Sequence, residues 1–247
     1  TPTIRRFLKE QGWGGNLQRQ ALCALRAYLR HIERPTAPAF AIPLPADRSA
    51  PQRTPTAKQL NALLQSLDTS TPIGKRHLAM LCLMLETGLR ASEICRLELD
   101  RLDLASSSLT VLAKGRQWRI ALYSRYTAAC LENWLAVRQP AQGVKTVFVS
   151  IGGLHPGPPL PPSALRVVFR RLAKSAGLPA LSPHDLRRAM AVLYTEAGLP
   201  SRTLQELGGW SDIRLVERYT KRLAVRARTV EKHSPVYTLM SWADDDS

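Results

Sequence analysis

Six residues in a fixed order have the types and spacing to share one reactive site. Arg90 follows Gly88-Leu89 at the start of a helix-like stretch, with Glu93 three positions on. Lys114 precedes Gly115 in an expected turn, and His184 and Arg187 follow Ser182-Pro183 on one helical face. Trp210 comes after Gly208-Gly209, and Tyr219 stands nine residues beyond it. Each type has a chemical use. Guanidinium forks take planar oxyanions through two hydrogen bonds at once. An imidazole titrates near neutrality, a lysine carries a mobile proton, and an indole N–H donates only. A phenol, with a pKa near 10, becomes a nucleophile when a base takes its proton. Taken singly, each residue also has a plain structural reading. Arg90 can pair with Glu93, Lys114 can be a solvated turn residue, and His184 can cap its helix. Trp210 can be core, and Tyr219 an amphipathic interface residue.

As an ordered series they resemble the tyrosine recombinase/integrase family. The matching segments are Thr87-Gly88-Leu89-Arg90-Ala91-Ser92-Glu93-Ile94, Ala113-Lys114-Gly115-Arg116 ahead of Arg119-Ile120, and Pro183-His184-Asp185-Leu186-Arg187-Arg188. Leu207-Gly208-Gly209-Trp210-Ser211-Asp212 and Arg218-Tyr219-Thr220-Lys221 complete the set, within residues 54–231. The resemblance implies transesterification at a DNA phosphodiester, with Tyr219 attacking phosphorus to give a 3′-phosphotyrosine and a 5′-hydroxyl. Charge then builds on the non-bridging oxygens, which Arg90 and Arg187 would clamp. His184 would take the phenol proton, and the family assigns protonation of the leaving 5′ oxygen to the hairpin lysine, here Lys114. Trp210 stands where many members carry His; its indole can donate to a non-bridging oxygen but cannot shuttle a proton. Glu93 is expected to orient the site through the helix that bears Arg90. Such an intermediate conserves the phosphodiester energy, so neither metal nor ATP is expected as a cofactor, in keeping with the absence of a G-x-x-x-x-G-K-[ST] sequence.

Positioning these residues requires a mainly helical fold with a small antiparallel β-hairpin sheet, an α+β class. Residues 4–11 and 17–32 read as helices, the second with Leu22, Leu25 and Leu29 on one face, and Gly12-Trp13-Gly14-Gly15 as the turn between them. Residues 1–34 would be a partial helical core-binding domain, the family's DNA clamp at roughly half its usual length, and hence a trimmed or minimal version. Six prolines between Pro35 and Pro55 predict an extended linker over 35–53. The catalytic domain is expected over 54–235, opening with Thr56-x-x-Gln59 as a capping box ahead of Leu60, Leu63, Leu64 and Leu67. Helices are expected at 72–86, 91–97 and 124–137, a hairpin at 108–113 and 118–123, and a strand at 146–150. From Ser163 onward the chain reads as helical, with breaks near 177–183, 198–200 and 208–209. Residues 236–247 form a tail ending in Asp244-Asp245-Asp246-Ser247.

Thirty-five Lys and Arg against nineteen Asp and Glu give a net charge of +16 over 247 residues, a balance suited to a polyanion. No basic amphipathic helix with aromatic anchors and no long apolar run points to a membrane. No signal-peptide core opens the chain, so a cytoplasmic location is expected, nucleoid-associated if the source is bacterial. The four cysteines form no C-x-x-C pair and the five histidines no H-x-x-x-H pair, which argues against a disulfide framework or a protein-held metal. Arg166, Arg170 and Lys174 recur at i, i+4, i+8 and make a basic stripe over a buried side of Leu165, Val168, Phe169 and Leu172. The helix that carries them resembles the family's major-groove helix, where arginine grips guanine; an ordinary solvated face is the plain reading. Expected partners are double-stranded DNA with paired recombination sites, further copies of the chain in a tetramer joined by the C-terminal helix, and accessory proteins. Two other functions fit the same residues: a catalytically silent DNA-binding regulator, and a type IB topoisomerase-like nicking enzyme. The basic segment 222–232 after Tyr219 favours recombination.

Overall fold

The computed structural model describes residues 2–45, 54–112, 118–152, 156–178 and 180–220. The chain divides into two compact units, Thr1–Arg53 and Thr54–Ser247. In the first, α1 (Pro2–Glu10) and α2 (Gly15–His31) flank the glycine-rich turn, and Phe7 meets Trp13 edge to face at 6.1 Å. Leu22 is buried on α2, and its partners show that residues 38–44, within the expected linker, pack back onto this helix; residues 46–53 lie outside the described residues. Residues Pro38–Ala41 form a 3-10 turn that folds back, burying Ala39 and Ile42 against Leu22. Arg26 secures this return by donating to the carbonyls of Ala39 (3.1 Å), Phe40 (3.2 Å) and Ile42. Proline density signals a lack of regular structure, and here the irregular chain is held by a side chain satisfying its carbonyls.

The second unit is built around α4 (Pro72–Thr87). Its start is fixed by Thr71, whose hydroxyl accepts the Gly74 N–H at 3.1 Å, and by Pro72 in the first turn. Residues 79–84 are all buried, so this helix is apolar around its circumference and serves as the central rod. Helices α3 (Ala57–Gln65), α6 (Arg125–Leu135) and α8 (Pro183–Glu196) share one core with it. The capping box of α3 forms as the sequence predicts: Gln59 N–H reaches Thr56 Oγ1 at 3.2 Å and Thr56 N–H reaches Gln59 Oε1 at 2.9 Å.

A three-stranded antiparallel sheet, order β1-β2-β3, lies beside this core. The strands are β1 (Leu102–Asp103), β2 (Ser108–Leu112) and β3 (Trp118–Leu122), with Leu109 opposite Ala121 and Val111 opposite Arg119. Leu109, Val111 and Ala121 point inward, while Trp118, Ile120 and Leu122 are exposed. The two-residue β1 was not legible in the sequence. The strand expected over 146–150 does not form. Val147, Phe148 and Val149 are buried, and the segment pairs through two isolated antiparallel bridges, Thr146 with Glu98 and Val149 with Pro159, closed by backbone hydrogen bonds such as Val147 N–H to the Leu97 carbonyl at 2.7 Å and Leu160 N–H to the Phe148 carbonyl at 3.1 Å. The apolar run marks burial, and its pairing switches partner within the segment, so no continuous strand forms. The remaining helices are α5 (Ala91–Cys95), α7 (Pro162–Ser175), α9 (Ser201–Gly208) and α10 (Ile213–Thr220).

Candidate active site

The corner between α4 and α5 sets the first cation. Gly88 ends α4 with φ +60, a left-handed position that glycine occupies without strain. Its carbonyl then faces α8, and Arg90 becomes the residue that opens α5. The Glu93 carboxylate receives the Arg90 backbone N–H at 2.8 Å and Arg90 Nη1 at 2.6 Å. Glu93 is nearly buried, whereas the Arg90 side chain remains 38% exposed. The carboxylate thus fixes the arginine from behind and leaves part of it facing solvent.

Helix α8 brings the second pair. Ser182 caps it: its hydroxyl accepts the Asp185 N–H at 3.3 Å, and Asp185 accepts the Ser182 N–H at 2.7 Å. His184 is therefore not needed as the cap and sits exposed in the first turn. Its pKa is held below the ordinary histidine value, first by burial of part of the ring and then by the charges of Arg188 and Arg187, with Arg90 contributing and Asp185 opposing. One turn on, Arg187 is buried. Its Nη1 donates to the Gly88 carbonyl, and its guanidinium carbon lies 4.3 Å from the centroid of the Trp210 ring. Space is tight enough that a methyl group on Gly88 would come within 2.8 Å of Met190 Sδ and 3.5 Å of Arg187 Nη1. Arg188 pairs with Asp185 beneath the same turn.

The turn between α9 and α10 supplies Trp210. Gly209 adopts φ +62, and a Cβ on Gly208 would overlap the indole at 1.9 Å. Trp210 packs in a small cluster with Met190, Ala191, Leu204 and Val216. Its ring forms a wall against Arg187. Val216 anchors α10 in the same cluster, and Tyr219 belongs to the last turn of that helix. Lys114 lies outside the described residues, and the Tyr219 side chain is likewise not described.

One residue that the sequence reading quoted without a role joins this group. Arg119, on the inward face of β3, donates from Nη1 to the Leu207 carbonyl at 2.9 Å, and its Nη2 stands 3.8 Å from Glu93 Oε2. Arg90, Glu93, Arg119, His184, Arg187 and Trp210 therefore gather from three elements, α5, β3 and α8, and a turn. The basic stripe is adjacent. Arg166, Arg170 and Lys174 are exposed on α7 while Leu165, Phe169 and Leu172 are buried. Together with Ser182 and Pro183, at the head of α8, they line an open cleft of about 440 Å³. Arrayed cations beside a helix N-terminus make an anion-binding surface.

Fold and site define a class: a mainly helical domain with a small antiparallel sheet that draws two arginines and a histidine together ahead of a tyrosine-bearing helix. The model of the phage integrase family matches residues 53–225, and the chain belongs to that family, the tyrosine recombinases, whose members are DNA strand-transferring enzymes. A tyrosine recombinase XerC of Mannheimia succiniciproducens is 34% identical over 146 residues, 56% of this chain and 49% of the relative. A tyrosine recombinase XerD of Listeria innocua is 28% identical over 236 residues, covering 92% of this chain and 78% of the relative. The chain thus spans about half the length of the XerC it matches and more of the XerD. Among solved structures, XerH site-specific recombinase bound to a palindromic difH substrate superposes with a TM-score of 0.70 at 20% identity, covering 96% of this chain and 72% of that one. A lambda integrase dimer bound to a COC′ core site gives 0.64 at 18% identity, covering 90% and 65%. At such identities the likeness establishes the fold.

Proposed function

We propose that this protein is a site-specific DNA recombinase that cuts and rejoins strands through a 3′-phosphotyrosine at Tyr219. The observation that carries the reading is the convergence of Arg90, His184 and Arg187, from α5 and α8, beside the turn that leads into the tyrosine-bearing α10. Arg90 and Arg187 bind the non-bridging oxygens of the scissile phosphate, His184 takes the phenol proton, and Lys114 protonates the leaving 5′ oxygen. Trp210 holds Arg187 in place by stacking, and Glu93 holds Arg90. Two guanidiniums and a lysine supply the electrostatic stabilisation, so the reaction runs without metal or ATP. DNA lies along the α7 stripe of Arg166, Arg170 and Lys174. The first unit, with helices in 1–34, is part of a DNA clamp. Residues 54–235 are the catalytic domain and 236–247 a tail. Copies of the chain assemble as a tetramer on paired sites, in the cytoplasm, during integration, excision, resolution or transposition of a mobile element.

The test uses DNA duplexes selected from a random pool by binding to the Tyr219→Phe variant. Plasmids carrying two selected sites should undergo strand exchange, undiminished by excess EDTA. Relaxation of a single-site plasmid without exchange would mark a topoisomerase-like nicking enzyme, and binding without cleavage a silent regulator. Loss in EDTA with rescue by magnesium would point to a metal nuclease.

A further inference from the structure

We infer that Arg119 is a positioning residue that locks the arginine clamp to the turn before the nucleophile's helix, an inference that rests on the recombinase reading above. Its register is the first observation. Strand β3 has period two, and Arg119 shares the inward face with buried Ala121, so a cation occupies a place where burial would favour an apolar side chain. Its side chain is only 11% exposed, and burial pulls its pKa down, with Glu93 opposing that shift. A guanidinium at such a place is held by what it bonds.

Its two contacts, one hydrogen bond and one ion pair, reach separate parts of the site. One donor meets the Leu207 carbonyl in the last turn of α9, where helical carbonyls lack intrahelical partners and a cation opposes the negative end of the helix. Another faces Glu93, the carboxylate that also holds both the backbone and the side chain of Arg90. Gly209 completes the fit. A Cβ there would lie 2.5 Å from Arg119 Nε, so the turn before Trp210 passes flat against this guanidinium. Trp210 in turn stacks on Arg187. Arg119 therefore links Glu93 and Arg90 on one side with Gly209, Trp210 and Arg187 on the other. No atom of Arg119 needs to touch DNA for this role.

The test compares Arg119→Met, which keeps the stem and removes the donors, with Arg119→Lys, which keeps the charge. Single-turnover cleavage is measured on a pool-selected duplex interrupted by a nick near the cut, so that the cleaved state is trapped. A second duplex carries a neutral methylphosphonate at the scissile position, which lowers the demand on the clamp. Arg119→Met should bind DNA within about twofold of the parent and cleave about 10–100-fold more slowly, as expected of a misplaced clamp. Arg119→Lys should recover part of the rate, and the methylphosphonate should narrow the gap between parent and Met variant. A role in folding alone would lower the amplitude of cleavage, leave the rate constant of the active fraction unchanged, and leave the gap the same on both duplexes; that result, or parental rates in both variants, would overturn the inference. Absence of Tyr219-dependent cleavage by the parent would overturn the recombinase reading itself, whereas parental cleavage with an unaffected Arg119→Met variant would overturn this inference alone.

Discussion

His184 meets the site as a neutral imidazole at ordinary pH, because part of its ring is buried and Arg188, Arg187 and Arg90 all disfavour a further positive charge. A neutral ring can accept a proton from a phenol; a protonated one cannot. With its pKa held below 6.5, His184 stays competent as pH falls through 6.5 and loses competence only when the lowered pKa is reached. The single-turnover cleavage rate should therefore keep its plateau through pH 6.5 and bend downward below it. Arg188→Leu removes one of the opposing charges and should move that bend upward. A bend at or above 6.5 in the parent would speak against His184 as the base. Much of this residue-level picture was legible in the sequence: Arg90 and Glu93 three apart, His184 and Arg187 three apart, and Trp210 after two glycines. Arg119 was less so. Trp118, Ile120 and Leu122 form the apolar set of β3, so alternation alone sends them inward and Arg119 outward, the reverse of what folds. Arg119 is held inward by one hydrogen bond to the Leu207 carbonyl and by the close fit on Gly209, and neither is encoded within the strand.

At the scale of elements, the ends of helices carry most of the positioning. The left-handed cap at Gly88 turns its carbonyl toward Arg187, while the short gap to Arg90 places the other arginine at the start of α5. Gly88→Ala should cost about 1–2 kcal/mol in unfolding free energy, since an L-residue at positive φ is strained and the new methyl presses on Met190. Thermal unfolding checks the stability cost, and cleavage should fall as well because Arg187 must shift. Unchanged values for both would mean that the corner is not under constraint. Such ends read well from sequence: Thr56-x-x-Gln59, Pro72 after Thr71, Ser182-Pro183, and the glycines 88 and 209 all mark helix limits. Segments lacking local signatures read poorly. The run 146–150 looked like a strand because it is apolar, and the stretch after Pro35 looked like a spacer because it is proline-rich. In each case partners outside the segment decided the outcome, bridges to two different segments in the first and Arg26 in the second. Helix α7 is the element proposed above to face DNA. Alanine at a base-reading position among Arg166, Arg170 and Lys174 should cost about 1–3 kcal/mol and relax preference at one base pair. Alanine at a phosphate-contacting position should weaken all sequences alike and reduce the salt slope by about 0.9. Normal binding and salt dependence in all three variants would reduce the stripe to a solvated face.

For the molecule as a whole, an excess of sixteen positive charges and a polar cluster drawn from α5, β3, α8 and the turn before α10 are consistent with the family assignment. Charge draws the chain to a polyanion without choosing a reaction, and the site chooses the reaction. Composition alone was enough to suggest nucleic acid; the order of six residues was enough to suggest the family, and the matching family model makes that assignment. What sequence could not supply is the way in which Arg187 fits against Gly88 and Trp210, and Arg119 against Gly209, because these contacts join residues up to 99 positions apart. Tyr219 is the residue on which the whole account turns. The most direct measurement incubates the parent protein with a pool-selected duplex nicked near the cut, so that the short fragment diffuses away and religation is blocked. An SDS-stable protein–DNA adduct should accumulate, and mass spectrometry of the digested adduct should place the nucleotide on the peptide that contains Tyr219. Tyr219→Phe should bind the same duplex and give no adduct, since only the hydroxyl is lost. An adduct that persists in Tyr219→Phe, or one mapped to Tyr194, Tyr123, Tyr126 or Tyr237, would contradict the account.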